Sequence, residues 1–264
     1  MADLYDSCHF SISAFLVKPQ SRAPVQALSG PAAHAPLAAG PGRRSLASMS
    51  THATHQPANP ADIERQSFAI IDAEVPEPRP FQGAQWEVAR RLVHTSADFE
   101  LLSLLRFSKG AVSAGVAALR SGAVVVTDTR MCQVGIPTRR LDSLGCRTVC
   151  YMDDPDLAAR ARELGVTRAR LAVDEAAGLS GPVVFAVGNA PTALLRLMEL
   201  MDGGHVSPEL VIGMPVGFVN AAESKALLMT RADAPWIAIS GRKGGSALAA
   251  ACVNALAEMA LRAG

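Results

Sequence analysis

Five short apolar runs, rich in β-branched residues, recur between residues 123 and 241: AVVVTD (123–128), TVCYMD (148–153), VVFAVG (183–188), LVIGMP (210–215) and WIAISG (236–241). They are apolar nearly throughout instead of alternating, so each strand must be covered on both faces. Helical segments separate them, among them DPDLAARARELG (154–165) and APTALLRLMELMDGG (190–204). In the second, Pro191 suits a first helical turn, and Gly203 or Gly204 ends the helix. GSALAAACVNALAEMALRAG (245–264) supplies a closing helix. Strands of this kind alternating with helices predict an α/β fold: a flavodoxin-like, doubly wound sandwich with a mainly parallel, five-stranded sheet.

Two helices are expected ahead of the first strand. ADIERQSFAIIDAE (61–74) places Ile63, Phe68, Ile70 and Ile71 near one stripe, and QGAQWEVARRLVHTSADFE (82–100) sets Trp86, Ala89, Val93 and Ala97 at steps of three and four. Residues 1–60 differ in texture. They hold seven of the 17 prolines, twelve alanines, four of the six histidines and only two acidic residues. Such a stretch buries too little surface to offset the entropy of ordering it. The chain is therefore divided into a disordered extension, 1–58, and a folded domain, 59–264. Met49 opens a conventional tail and offers an alternative start.

Charge and composition narrow the function. Lys+Arg total 25 and Asp+Glu 24, a formal net charge of +1, which argues against a nucleic-acid binder working by bulk charge. The five cysteines (Cys8, Cys132, Cys146, Cys150, Cys252) contain no C-x-x-C pair, so neither a disulfide framework nor a metal site is expected, and a reducing compartment fits. No apolar run approaches the roughly 18 residues of a membrane span. The patch FSISAFLV (10–17) follows Asp3 and Asp6 where a secretory signal needs positive charge. A cytoplasmic protein is expected.

In open α/β sheets ligands bind beyond the carboxyl ends of the strands. Three of those ends here run into GNAPTA (188–193), PVGFVNAAES (215–224) and GRKGGS (241–246). Glycine permits close backbone approach, and a following helix N-terminus offers N–H groups to anions. One such loop alone reads equally well as a tight turn; three on one edge favour a ligand site. Asn189, Arg242, Lys243 and Ser246 are its binding candidates. Outside the tail only His94 and His205 occur. His205, in DGGHVSPE, reads as a solvated surface residue. His94 shares an expected helix face with Arg91 and Asp98, and the residues alone leave a satisfied core histidine and a functional one equally open.

Longer blocks carry more. RQSFAII (65–71), RRLVHTSADF (90–99), VVTDTRM (125–131), VGNAPTALL (187–195), GMPVGFVNAAESK (213–225) and GRKGGSALAAA (241–251) together resemble the precorrin-8X methylmutase family, over essentially residues 61–264. The HTSADF and TDT wording is closer to the cobalt-precorrin-8 branch. The resemblance implies an isomerase of cobalamin biosynthesis that moves a methyl group from ring carbon 11 to 12 of a tetrapyrrole, giving cobyrinate or hydrogenobyrinate. It implies no cofactor, since the shift is intramolecular, and a homodimer. It makes His94 the proton donor and acceptor, and Ser67 and Arg91 substrate contacts. One departure stands out: the family often has arginine directly before that serine, where this chain has Gln66, with Arg65 one place earlier.

Rival readings fare worse. A flavin or nucleotide protein needs a phosphate loop after the first strand and stacking aromatics, and an S-adenosylmethionine methyltransferase needs glycines where AVVVTDTRM has none. The remaining alternative is a non-catalytic flavodoxin-like binder of a large anionic small molecule. From the tail's composition, removing residues 1–48 is expected to leave folding and activity intact; loss of folded, active protein on truncation, read by circular dichroism and turnover, contradicts it.

Overall fold

The computed structural model describes residues 59–262; the expected extension over 1–58 and its Met49 alternative lie outside them. Helix α1 (Pro60–Glu74) starts where Asn59 accepts a hydrogen bond from Ala61 N at 2.7 Å and Pro60 occupies the first turn. Helix α2 (Gly83–Ser96) packs beside it. The two are pinned by Asp72, which accepts from Trp86 Nε1 at 2.8 Å and from Arg90 Nη1 at 2.5 Å.

The remaining elements follow in order: α3 (Leu101–Leu104), β1 (Leu105–Phe107), α4 (Ala111–Arg120), β2 (Val124–Thr127), α5 (Arg130–Val134) and α6 (Thr138–Asp142). Then come β3 (Arg147–Val149), α7 (Pro155–Glu163), α8 (Arg168–Ala176), β4 (Val183–Val187), α9 (Pro191–Asp202) and β5 (Leu210–Gly213). The described chain closes with α10 (Ala221–Met229), β6 (Trp236–Ile239) and α11 (Ser246–Arg262). The strands form one sheet in the order β1-β6-β5-β4-β2-β3, parallel except for β1, which pairs antiparallel with β6.

The five expected strands are all present, but the sheet has six. The extra strand, β1, is three residues long and emerges from LLSLLRF, whose leucines carry a helical rather than an extended pattern. It covers the β6 edge, through Leu105 opposite Ile239 and Phe107 opposite Ile237. The second helix also ends earlier than expected: Ala97 takes a left-handed conformation (φ 53°) and caps α2 through Val93 O. Ala97 thus leaves the apolar stripe, and Asp98 leaves the helix.

Both faces of the sheet are dry. One core joins Val125, Val184, Ile212 and Ile237 to α2, α4 and α11; the other joins Val124, Phe185, Val211 and Trp236 to α8 and α9. Strands β2, β4, β5 and β6 are buried at every residue, which is why their sequences do not alternate. Helix α1 contributes little for its 15 residues: only Ile71 is buried, and Ile63 and Ile70 are 50% and 57% exposed.

Because five strands are parallel, their carboxyl ends share one edge, and there the loops touch. A Cβ on Gly188, after β4, would stand 2.6 Å from Ser246 Cα and 2.8 Å from Ser246 N at the start of α11. Both are backbone atoms that cannot turn aside. Gly188→Ala is therefore expected to cost about 1–3 kcal/mol, read as a lowered urea midpoint with an unchanged slope.

Candidate active site

Asp128 organises the carboxyl edge. It follows β2, is buried, and accepts three backbone hydrogen bonds from the loop after β4: Gly188 N at 2.9 Å, Asn189 N at 2.7 Å and Ala190 N at 2.6 Å. Burial pushes its carboxyl above the usual range, and the three N–H bonds offset part of that. Next to it, Thr129 caps α5 through Cys132 N and shares a 2.8 Å hydrogen bond with the Ser246 hydroxyl. The loops after β5 and β6 are zipped by Gly245 N to Met214 O (2.9 Å) and Gly217 N to Arg242 O (3.2 Å). Gly244 sits so close to Met214 that a Cβ would fall 2.1 Å from its carbonyl oxygen.

The second half of the site lies where α1, α2 and α11 meet. A cavity of about 440 Å³ is lined there by Phe68, Arg90, Arg91, Ala255, Glu258 and Leu261, with Glu87 and Arg262 at its rim. Phe68 is its aromatic centre: the guanidinium carbons of Arg90 and Arg91 stand 4.5 and 4.8 Å from its ring centroid, and the His94 ring meets it edge-on at 5.2 Å. Arg91 is 8% exposed and fully engaged. It donates to Glu64 and, at 2.6 Å, to Glu258, which also pairs with Arg140 at 2.8 Å.

The residues singled out from sequence fall into two groups. His94, Arg91 and Ser67 gather on α1 and α2. His94 is half-buried, and the Ser67 hydroxyl donates to Ile63 O at 2.9 Å. Asn189, Arg242, Lys243 and Ser246 sit on the strand-end loops. Asn189 is exposed, whereas the buried Ser246 hydroxyl is held by Thr129. Arg242 is exposed, with its guanidinium 5.5 Å from the ring centre of Phe218. Lys243 bridges the groups, since its ammonium binds Asp98 at 2.6 Å and Glu100 at 2.7 Å just beyond α2. Asp98 was expected to share a face with His94; its carboxylate turns instead to Lys243, whose hydrogen bond holds it below its usual pKa. His205 is exposed, as expected.

Sequence reading missed Asp128, Glu64, Glu258 and Lys225. Asp128 had a legible signal, an acid at the end of an apolar strand just before a helix. The others had none, because their partners are far along the chain. Burial raises the Glu64 carboxyl, but the Arg91 hydrogen bond and the charges of Arg91, Arg140 and His94 outweigh it and hold it below the usual range. A carboxyl lowered in the folded state stabilises it above the ordinary pKa of about 4.3, and that contribution is lost as pH falls through the folded value. Glu64→Gln should thus lower the melting temperature at pH 7, and its gap from wild type should close as pH drops below about 4.

The pattern of the precorrin-8X methylmutase family matches residues 62–259. A cobalt-precorrin-8 methylmutase of Priestia megaterium is 43% identical over 201 residues, 76% of this chain and 88% of that protein. A precorrin-8X methylmutase of Pseudomonas aeruginosa is 44% identical, covering 74% of this chain and 93% of the relative. A solved structure of the precorrin-8X methylmutase from Thermus thermophilus superposes with a TM-score of 0.69 at 43% identity, over 76% of this chain and 98% of that one. No helix among the described residues is long and apolar enough to cross a membrane. The chain belongs to the precorrin-8X methylmutase family, isomerases of cobalamin biosynthesis.

Proposed function

We propose that this protein moves a methyl group from ring carbon 11 to ring carbon 12 of a precorrin-8 macrocycle, with cobalt-precorrin-8 as the preferred form, and that His94 is its acid. The observation that carries this reading is the placement of the His94 imidazole against Phe68, the ring that lines the cavity together with Arg90 and Arg91. Among the described residues this is the one imidazole beside the arginine-rimmed recess around Phe68; the exposed His205 lies on another surface.

The chemistry asks little of the protein. The methyl migrates with its bonding pair to the adjacent carbon while the ring's double bonds shift, so no atom enters or leaves the substrate. A proton placed on the conjugated macrocycle makes it electron-poor and favours the migration, and the same group takes that proton back. Holding the ring in one geometry supplies the rest. Ser67 and Arg91 are the proposed contacts on the helix side, and Asn189, Arg242, Lys243 and Ser246 those on the loop side. Of the loop cations, Arg242 is the freer, while Lys243 would exchange a carboxylate of its own for one of the substrate's.

The order of the parallel strands, β6-β5-β4-β2-β3, supports the flavodoxin-like reading, whose ligand crevice opens at the point where strand order reverses, here between β2 and β4. The cavity of about 440 Å³ suits a drug-sized ligand and is small for a macrocycle bearing many acetate and propionate arms. That mismatch supports a homodimer in which the partner completes the cleft. The exposed Ile63 and Ile70 of α1, and Phe218 and Val219 at 83% and 78% exposure, are apolar surface suited to such a contact. The folded domain is proposed to be the whole of 59–264, working in the cytoplasm.

Incubation with precorrin-8X and with cobalt-precorrin-8 separately, followed by visible spectroscopy, tests the reading: the spectrum should change to that of the corrin, faster with the cobalt form. No change with either rejects it. His94→Ala should lose about 100- to 10,000-fold in turnover while still binding substrate, and a variant keeping more than about a tenth of wild-type turnover shows that His94 is not the acid.

A further inference from the structure

Lys225 is buried in a place where an apolar residue would be less costly. It sits on α10, is 0% exposed, and directs its ammonium to a single backbone acceptor, the carbonyl of Lys243, at 2.5 Å. It forms no ion pair among the described residues, and burial alone lowers its pKa to about 8. An ammonium removed from water without a carboxylate destabilises the fold, and a methionine of similar length would fill the space without that penalty. The nitrogen is therefore worth explaining by what it holds.

What it holds is the centre of the GRKGGS loop. The loop's flanks are tied by backbone bonds, Arg242 O to Gly217 N on one side and Gly245 N to Met214 O on the other. Between them the Lys243 carbonyl accepts from Lys225, while the Lys243 side chain binds Asp98 and Glu100. Asp98 follows the left-handed Ala97 that ends α2, one turn after His94. A continuous chain of contacts thus leads from α10, through one residue of the loop, to the end of the histidine-bearing helix.

We propose that Lys225 is a positioning residue for the methyl shift: by fixing the Lys243 backbone it keeps the Lys243 ammonium on Asp98 and Glu100 and so holds the end of α2 that carries His94. This rests on the functional reading above. Lys225 itself touches no substrate; it acts through Lys243.

Lys225→Met in the full-length protein tests it by amide hydrogen exchange and turnover together. Exchange should rise about tenfold at both 241–245 and 96–100, with the melting temperature unchanged or higher, and turnover of cobalt-precorrin-8 should fall about tenfold. In a Lys243→Ala background, where the side-chain link is gone but the carbonyl remains, adding Lys225→Met should loosen 241–245 alone. Unchanged exchange in both segments, or loosening confined to 241–245 in the single variant, overturns the proposal. Loosening of both with turnover within twofold of wild type overturns the positioning role while the functional reading stands. If wild type converts neither substrate, the functional reading falls, and the role in the methyl shift with it, while exchange still decides whether Lys225 holds the α2 end. Should Lys225→Met fail to fold, Lys225→Gln, too short to reach the Lys243 carbonyl, is expected to give the same exchange pattern.

Discussion

The carboxyl edge of the sheet depends on one buried carboxylate. Asp128 gathers three successive N–H groups of the loop after β4. Bonds of this charge-assisted kind contribute about 1.5–3 kcal/mol each, against a desolvation penalty of several kcal/mol for the buried ion. The two sides are of similar size and largely offset each other; what matters is where the interaction falls. The loop so fixed contains Gly188, whose missing side chain lets Ser246 and the start of α11 come within contact. Helix α11 in turn packs along α2 and supplies Glu258 to Arg91. Bonds between the residue after β2 and the loop after β4 therefore help set the position of a helix that packs against the histidine-bearing α2.

How far the sequence revealed this follows from how local each signal is. Strands β2, β4, β5 and β6 were legible because burial on both faces writes an unbroken apolar run into four or five adjacent residues. Helix α9 was legible because Pro191 and Gly203 mark its ends. Strand β1 was not, since LRF is too short to show a period and follows leucines that belong to α3. The end of α2 was misplaced because alanine carries no stop signal; Ala97 adopts φ 53° through its surroundings, where Asp98 and Glu100 are drawn to Lys243. The pairings of Arg91 were beyond reach, with partners 27 and 167 positions away.

The same pairings change how the site should be pictured. The proposed substrate, edged with carboxylates, suggests a patch of free positive charge, and the sequence offered Arg91, Arg242 and Lys243 as its parts. In the folded chain Arg91 already holds Glu64 and Glu258, Lys243 holds Asp98 and Glu100, and Arg90 holds Asp72. Near-neutral overall charge is thus repeated within the site. Such an arrangement keeps the arginines rigid and oriented before any ligand arrives, because a guanidinium bound to two carboxylates and stacked on Phe68 has little rotamer freedom left to lose. It also makes attraction short-ranged, since paired charges cast little field at a distance. On the proposed reading, recognition of an anionic ring would proceed by exchange of one carboxylate for another at fixed cations, and would select for a ligand whose carboxylates fall at the right spacing in preference to one that is merely anionic.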